Sequence, residues 1–293
     1  MAISLTTPDV DDLAGVVVVL RGWQADGLPM QLHPGDLGWF MRFGAAATAA
    51  ATRLWQQDGK IQGIGLLDGV ALVRLTLAPD AWSDQSLAQK MADDLTDPGQ
   101  GLLPTGEGSV EAPAGAPLLA RLSAAGWHPA EPWTPLRRGL AEPVPEPGIR
   151  VETVGPENAH RYADVLRAAF DKSSFTDSRW HAMAAEPAYR NARSLLGYDG
   201  RGNPVAVATV WSAGPGKPGL LEPMGVSADF RGQGHGRAIT LAAAAALREL
   251  GASSALVCTP SSNSGGVATY AAAGFQELPQ RSDWTRGPRR DPK

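Results

Sequence analysis

The chain predicts an α/β (α+β) protein built as two tandem domains, and three observations carry that expectation. First, residues 220–250 run from an apolar stretch through a glycine-rich turn into a long alanine-rich segment, which reads as strand, turn and helix. Second, two short segments of the first half line up with two of the second. LTLAPDAW (75–82) matches MGVSADFR (224–231) at an offset of 149, and LSAAGW (122–127) matches YAAAGF (270–275) at an offset of 148. Third, a proline-spaced stretch, AEPVPEPG (141–148), lies between the halves. The domains are therefore expected at 1–143 and 149–293, with 144–148 as the linker.

Composition narrows the class. At 293 residues and 43% hydrophobic, the chain is long enough for two real cores. Net charge is −4, which calls for neither nucleic acid nor a membrane. Residues 1–148 carry 9 basic and 17 acidic side chains; residues 149–293 carry 17 and 13. The second half is thus the basic one. Cys258 is the single cysteine, so no disulfide forms within the chain, in keeping with a cytoplasmic setting. The VVVVL run (16–20) follows acidic residues and is too short to span a bilayer, so neither a signal peptide nor a membrane span is expected.

In chain order, PDVDDLAGVVVVLRGWQA (8–25) predicts a helix with an acidic start. Residues 30–44 read as mixed and partly loop. ATRLWQQDGKIQGIGLLDG (51–69) predicts two strands around an Asp58-Gly59 turn, and ALVRLTLAPD (71–80) a third. A helix is expected over 83–95, loop with room for one short strand over 97–117, and a helix ending at glycine over 117–127. Beyond the linker, 149–154 predicts a strand, 156–170 and 176–187 helices, and 192–214 two strands joined near Asp199-Gly200.

The central stretch then carries chemistry. In Arg231-Gly232-Gln233-Gly234-His235-Gly236 the glycines bare successive backbone N–H groups where a helix begins and its first amides lack internal partners. Such a turn attracts phosphate. A P-loop would need Lys-Ser or Lys-Thr after Gly236, but Arg237-Ala238 stand there. A dinucleotide fingerprint would need glycine at position 237. What remains is Arg-x-x-Gly-x-Gly. It resembles the pyrophosphate loop of the GCN5-related N-acetyltransferase (GNAT) superfamily, whose co-substrate is acetyl-CoA. Downstream, SSALVCT (253–259) predicts a buried parallel strand. SSNSGGVATYAAAGF (261–275) then repeats the spacing of the family's second motif, with Asn263, Tyr270, Gly274 and Phe275. The resemblance covers about residues 149–285. It implies two GNAT-like domains, each a mixed, mostly antiparallel twisted sheet with helices on both faces, the first degenerate. Where Gly234, Gly236 and Tyr270 would fall, the first half has Gln85, Leu87 and Leu122.

The resemblance also implies roles. Met224, Gly225 and Val226 would line the pantetheine arm on the strand before the turn, with Val226 polarising the thioester carbonyl. Pro223 cannot donate to a ladder and suits a bulge there. Arg231, Gly232, Gln233, Gly234, His235, Gly236 and Arg237 would surround the phosphates. Asn263 would hold the pantetheine arm or cap its helix. Tyr270 would protonate the leaving thiolate, and Glu222, on the same side of the strand as Val226, would take the amine's proton. Trp211 is a candidate wall for the acceptor. Cys258 lacks a base nearby in sequence and reads as a packed thiol, and the histidines form no metal pattern. The expected activity is acetyl transfer from acetyl-CoA to an amine acceptor, a small molecule or a peptide, by a monomer, a dimer being the other state considered. A CoA-binding interaction module without turnover is the alternative from another class; a mycothiol synthase-like acetyltransferase is the alternative within the superfamily.

Overall fold

The computed structural model describes residues 2–287. Its first half runs β1 (Ser4–Thr6), α1 (Leu13–Gly22), α2 (Pro34–Phe40), α3 (Ala45–Ala51), β2 (Thr52–Gln57), β3 (Lys60–Leu67), β4 (Leu72–Leu77), α4 (Gln85–Thr96), β5 (Gly108–Glu111), α5 (Pro117–Ala124) and β6 (His128–Gly139). The β2–β3 turn has φ of 53° at Asp58 and 75° at Gly59, the left-handed pair that a two-residue hairpin requires. Residues 141–148 carry no helix or strand. The second half runs β7 (Arg150–Thr153), α6 (Ala159–Ala169), α7 (Asp177–Ala184), β8 (Ala192–Tyr198), β9 (Pro204–Ser212), β10 (Pro218–Val226), α8 (His235–Glu249), β11 (Ser254–Pro260), α9 (Ser264–Ala272), β12 (Gln276–Glu277) and β13 (Arg281–Arg286).

The strands form one sheet, ordered β1-β2-β3-β4-β5-β13-β6-β11-β10-β9-β8-β7, with β12 also paired to β6. Each half sends its last long strand into the other. β6 leaves α5 and pairs antiparallel with β11, while β13 returns to pair with β5. The sequence expectation of two sheets is thereby modified into one continuous sheet. Apolar clusters cover both faces of it. Leu13, Leu20 and Leu37 from α1 and α2 pack on one side of the first half, and Leu87, Met91 and Leu122 from α4 and α5 on the other. In the second half, Tyr162 and Trp180 from α6 and α7 face one way, and Ile239, Leu247 and Tyr270 from α8 and α9 the other.

Two elements differ from expectation. Residues 30–44 contain α2, started by an unusual cap: Gly35 N donates to His33 Nδ1 (2.9 Å) and His33 N donates to Asp36 Oδ2 (2.5 Å), with Pro34 in the first turn. β6, at 12 residues, went unforeseen because Pro129, Pro132 and Pro135 argue against a central strand. Proline carbonyls still accept: Ser261 N donates to Pro132 O and Leu278 N to Pro135 O, both at 2.9 Å. Among the described residues no helix is long and apolar enough to cross a membrane.

Candidate active site

The site grows from β10. This strand pairs in parallel with β11 only over Pro218, Gly219 and Leu220. Further along, β11 keeps its ladder with β6 while β10 keeps only β9. The two strands therefore splay, and among the described residues one backbone edge of β10 from Leu221 to Val226 has no strand partner. The β9–β10 register shifts between Leu221 and Met224, so the bulge expected at Pro223 is present, with a cis Glu222–Pro223 bond. Gly225 lets α6 close on the strand: a Cβ there would lie 2.6 Å from the Ala169 Cβ.

Beyond β10, Gly232 and Gly234 take φ of 76° and 84°, conformations that favour glycine. Gly234 caps α8 with no side chain, and the first intrahelical bond runs from Ala238 N to Gly234 O at 3.0 Å. The amides of His235, Gly236 and Arg237 precede it, and the first amides of a helix have no intrahelical partner. Gly236 is needed for contact, since a Cβ would meet the Thr269 Cγ2 of α9 at 2.9 Å. His235 is buried against Phe230, and neither ring nitrogen has a hydrogen-bond partner among the described residues. The arginines brace the turn. Arg231 donates through Nη2 to Ala169 O (2.8 Å), and Arg237 through Nε to Ala272 O (3.0 Å). With both guanidiniums turned to carbonyls, the donors that the turn offers are backbone amides.

Asn263 caps α9: its Oδ1 accepts from Gly266 N (3.1 Å) and its Nδ2 donates to Thr259 Oγ1 (3.0 Å). Of the two roles considered for it, the capping geometry is the one displayed. Tyr270 sits on the buried side of α9 at 6% exposure. Burial, then Cys258 and Glu222, raise its phenol above the ordinary tyrosine range, so it holds its proton. Cys258 lies on β11, where burial pushes its thiol up to about 12, too high for a nucleophile at neutral pH.

Glu222 has neighbours that sequence reasoning missed, and they come from the first half. Arg74 of β4 lies 2.8 Å from Asp36 Oδ1, 2.8 Å from Glu111 Oε2 and 3.8 Å from Glu222 Oε1. Burial drives the Glu222 carboxyl up to about 8; Arg74 opposes this, and Asp36 reinforces it. Asp36, 2% exposed, is also raised by burial against the pull of Arg74. Burial opposes ionisation of Glu111 too, but Arg74 and Arg281 outweigh it and hold the group at about 2. The carboxylates of Asp36 and Glu222 thus meet beside one guanidinium, an arrangement that favours one shared proton. Trp211, proposed as an acceptor wall, is instead buried under α2. A Cβ on Gly38 would lie 2.3 Å from its ring, and its Nε1 donates to Glu222 O at 2.7 Å. His33, whose pKa burial lowers to about 4, accepts at Nδ1, so Nε2 donates to Pro218 O (3.2 Å) and ties α2 to the start of β10.

The first half repeats this plan with the site closed. The helix caps that correspond are Asp84 and Gly234, one residue from the alignment that matched Gln85 to Gly234. The Asp84 carboxylate accepts from Ser86 N (2.7 Å) and Leu87 N (3.1 Å), occupying the donors that stay free on α8. The α5 and α9 ends superpose in their bonding: Trp127 N donates to Leu122 O (3.0 Å), and Phe275 N to Tyr270 O (3.1 Å).

Residues 160–275 match the Acetyltransferase (GNAT) family. Three solved structures share the fold along nearly the whole chain. A GCN5-related N-acetyltransferase from Sphaerobacter thermophilus is 18% identical, with 99% of this chain and 97% of that one covered and a TM-score of 0.58. A tandem GNAT protein from the clavulanic acid biosynthesis pathway is 17% identical, with 98% and 99% covered and a TM-score of 0.61. An acetyltransferase from the GNAT family of Colwellia psychrerythraea is 15% identical, with 98% and 100% covered and a TM-score of 0.60. No curated protein matches in sequence. The family match thus falls on the second half, which carries the open turn. Along the rest of the chain the likeness to these structures is one of fold.

Proposed function

We propose that the protein transfers the acetyl group of acetyl-CoA to an amine, with the second half as the active one. The observation that supports this most is a coincidence on one strand. β10 splays from β11, carries Glu222 at its bulge, and ends at a helix start whose amides are free. The amides of residues 235–237 would hold the pyrophosphate. The free edge of β10 over Met224, Gly225 and Val226 would pair with the pantetheine arm, and the Val226 amide would face the thioester oxygen. Glu222, ionised, would accept the proton that the amine loses as its nitrogen bonds to the thioester carbon. As the C–S bond breaks, Tyr270 would give its proton to the thiolate. The first half contributes Asp36 and Arg74, which set the charge state of Glu222.

A monomer in the cytoplasm suits this reading, because the strand exchange is satisfied within one chain and the single cysteine is an unactivated thiol. The test is calorimetric titration with acetyl-CoA, CoA and NAD, followed by thiol release with a panel of amines. Binding of both CoA forms but not NAD, with amine-dependent thiol release, is the expected result. CoA binding without release for any amine would favour an interaction module.

A further inference from the structure

Two guanidiniums beside this site lack a carboxylate partner. Arg42 lies in the turn Met41–Phe43 that follows α2, and Arg179 lies on α7 of the second half. Their Cζ atoms are 4.3 and 5.1 Å from the centroid of the same ring, Phe43, and Arg42 also stacks on Trp39 at 4.4 Å. Arg42 donates to Trp39 O (2.7 Å) and Arg179 to Ser174 Oγ (3.0 Å). Among the described residues neither forms an ion pair. Two like charges are therefore held together, half-buried, with no counter-ion between them. Burial lowers Arg42 to about 10, and Asp68 and Glu222 act against that from beyond ion-pair distance. Stacking occupies the faces of a guanidinium and leaves its in-plane N–H groups free for an oxyanion.

The neighbourhood is therefore polar in a directed sense. Glu222, with Asp36 and Asp68 near it, forms a carboxylate side, and Arg42 with Arg179 forms a cationic side. Glu222 at the bulge of β10 and Arg179 both act electrostatically on Arg42, so the cations lie within reach of the splayed strand. A polyamine would meet two uncompensated cations here. A molecule with an amine at one end and an anion at the other matches both sides.

We infer that Arg42 and Arg179 bind an oxyanion carried by the acceptor, a carboxylate or a phosphate, so that the acceptor is a zwitterion. This rests on the acetyl-transfer reading for the identity of the acceptor, but the anion site can be tested apart from it. Calorimetry of the full chain, with and without saturating CoA, would use 3-phenylpropanoate, phenyl phosphate and 3-phenylpropylamine as probes. At least one anion should bind about tenfold more tightly than the amine, as a charge-assisted pair predicts. Which one binds separates carboxylate from phosphate. Arg42→Gln and Arg179→Gln should each weaken that anion about tenfold and leave CoA affinity unchanged, while Arg42→Lys should restore part of it. Arg179→Gln, at a half-buried position of α7, serves if Arg42→Gln fails to fold. Failure of both anions to bind, equal binding by the variants, or preference for the amine would each overturn the inference. Loss of CoA binding with anion binding intact would instead sink the transfer reading alone.

Discussion

The two halves place a strand, a turn and a helix in the same order, yet one helix start is open and the other is shut. On α4 the Asp84 carboxylate accepts from two amides of the first turn, as a stabilising N-cap should. On α8 a glycine leaves the equivalent amides bare. The contrast shows that a helix cap and an anion site compete for the same donors. A capped start contributes stability and repels phosphate; an uncapped one forgoes that stability and keeps its dipole available. Tyr270 and Leu122 repeat the contrast within otherwise equivalent helix ends.

The largest effect should come from breaking the link between the halves. Glu111→Ala leaves Arg74 and Arg281 without their shared buried partner and should cost about 3–5 kcal/mol, read by urea unfolding. The Glu111 pKa is depressed, so the stability it adds is present above its unfolded pKa near 4.5 and is lost as pH falls toward about 2. Acid titration of the wild type should therefore show a loss of stability below about pH 4.5 that the variant lacks.

Copying Leu122 chemistry onto the second half comes next. Tyr270→Phe should lower kcat by about 100-fold or more, the scale of a lost general acid, while CoA affinity stays within twofold. A variant that turns over normally would remove Tyr270 from the mechanism. Copying the Asp84 cap is the third step. Gly234→Asp should weaken CoA by about 100-fold in calorimetry, because a carboxylate would stand where phosphate is expected.

Glu222 offers a pH test. Its base form is populated above its raised pKa, so kcat/KM should climb about tenfold per unit toward pH 8 and then level. Glu222→Gln should flatten that limb; an unchanged limb in the variant would assign it to the amine itself. The smallest effect is the reciprocal one in the first half: Asp84→Ala should cost about 1 kcal/mol of stability without touching turnover.

Much of the second half was legible because its signals are local. The Arg231 to Gly236 turn, the Asn263 cap and the Gly274 helix end depend on residues three to eight apart, and each lies where its spacing placed it. What escaped reading depends on distant partners. Asp36 looked like loop because histidine is an uncommon helix cap. Arg74 drew no reading of its own within the strand expected at 71–80, and Trp211 looked like a pocket wall. Their roles follow from α2 lying over β9 and β10, which no nearby residue announces.

By itself the sequence determined the strand–turn–helix order, the glycine turn in one half and its loss in the other, since backbone dihedrals and first-turn amides are set by neighbours along the chain. Only the tertiary structure decided that β6 and β13 trade places, that one sheet unites the halves, and that Asp36 and Arg74 meet Glu222. Strand pairing and charge burial depend on which surfaces come together, and here the partners lie in opposite halves of the chain.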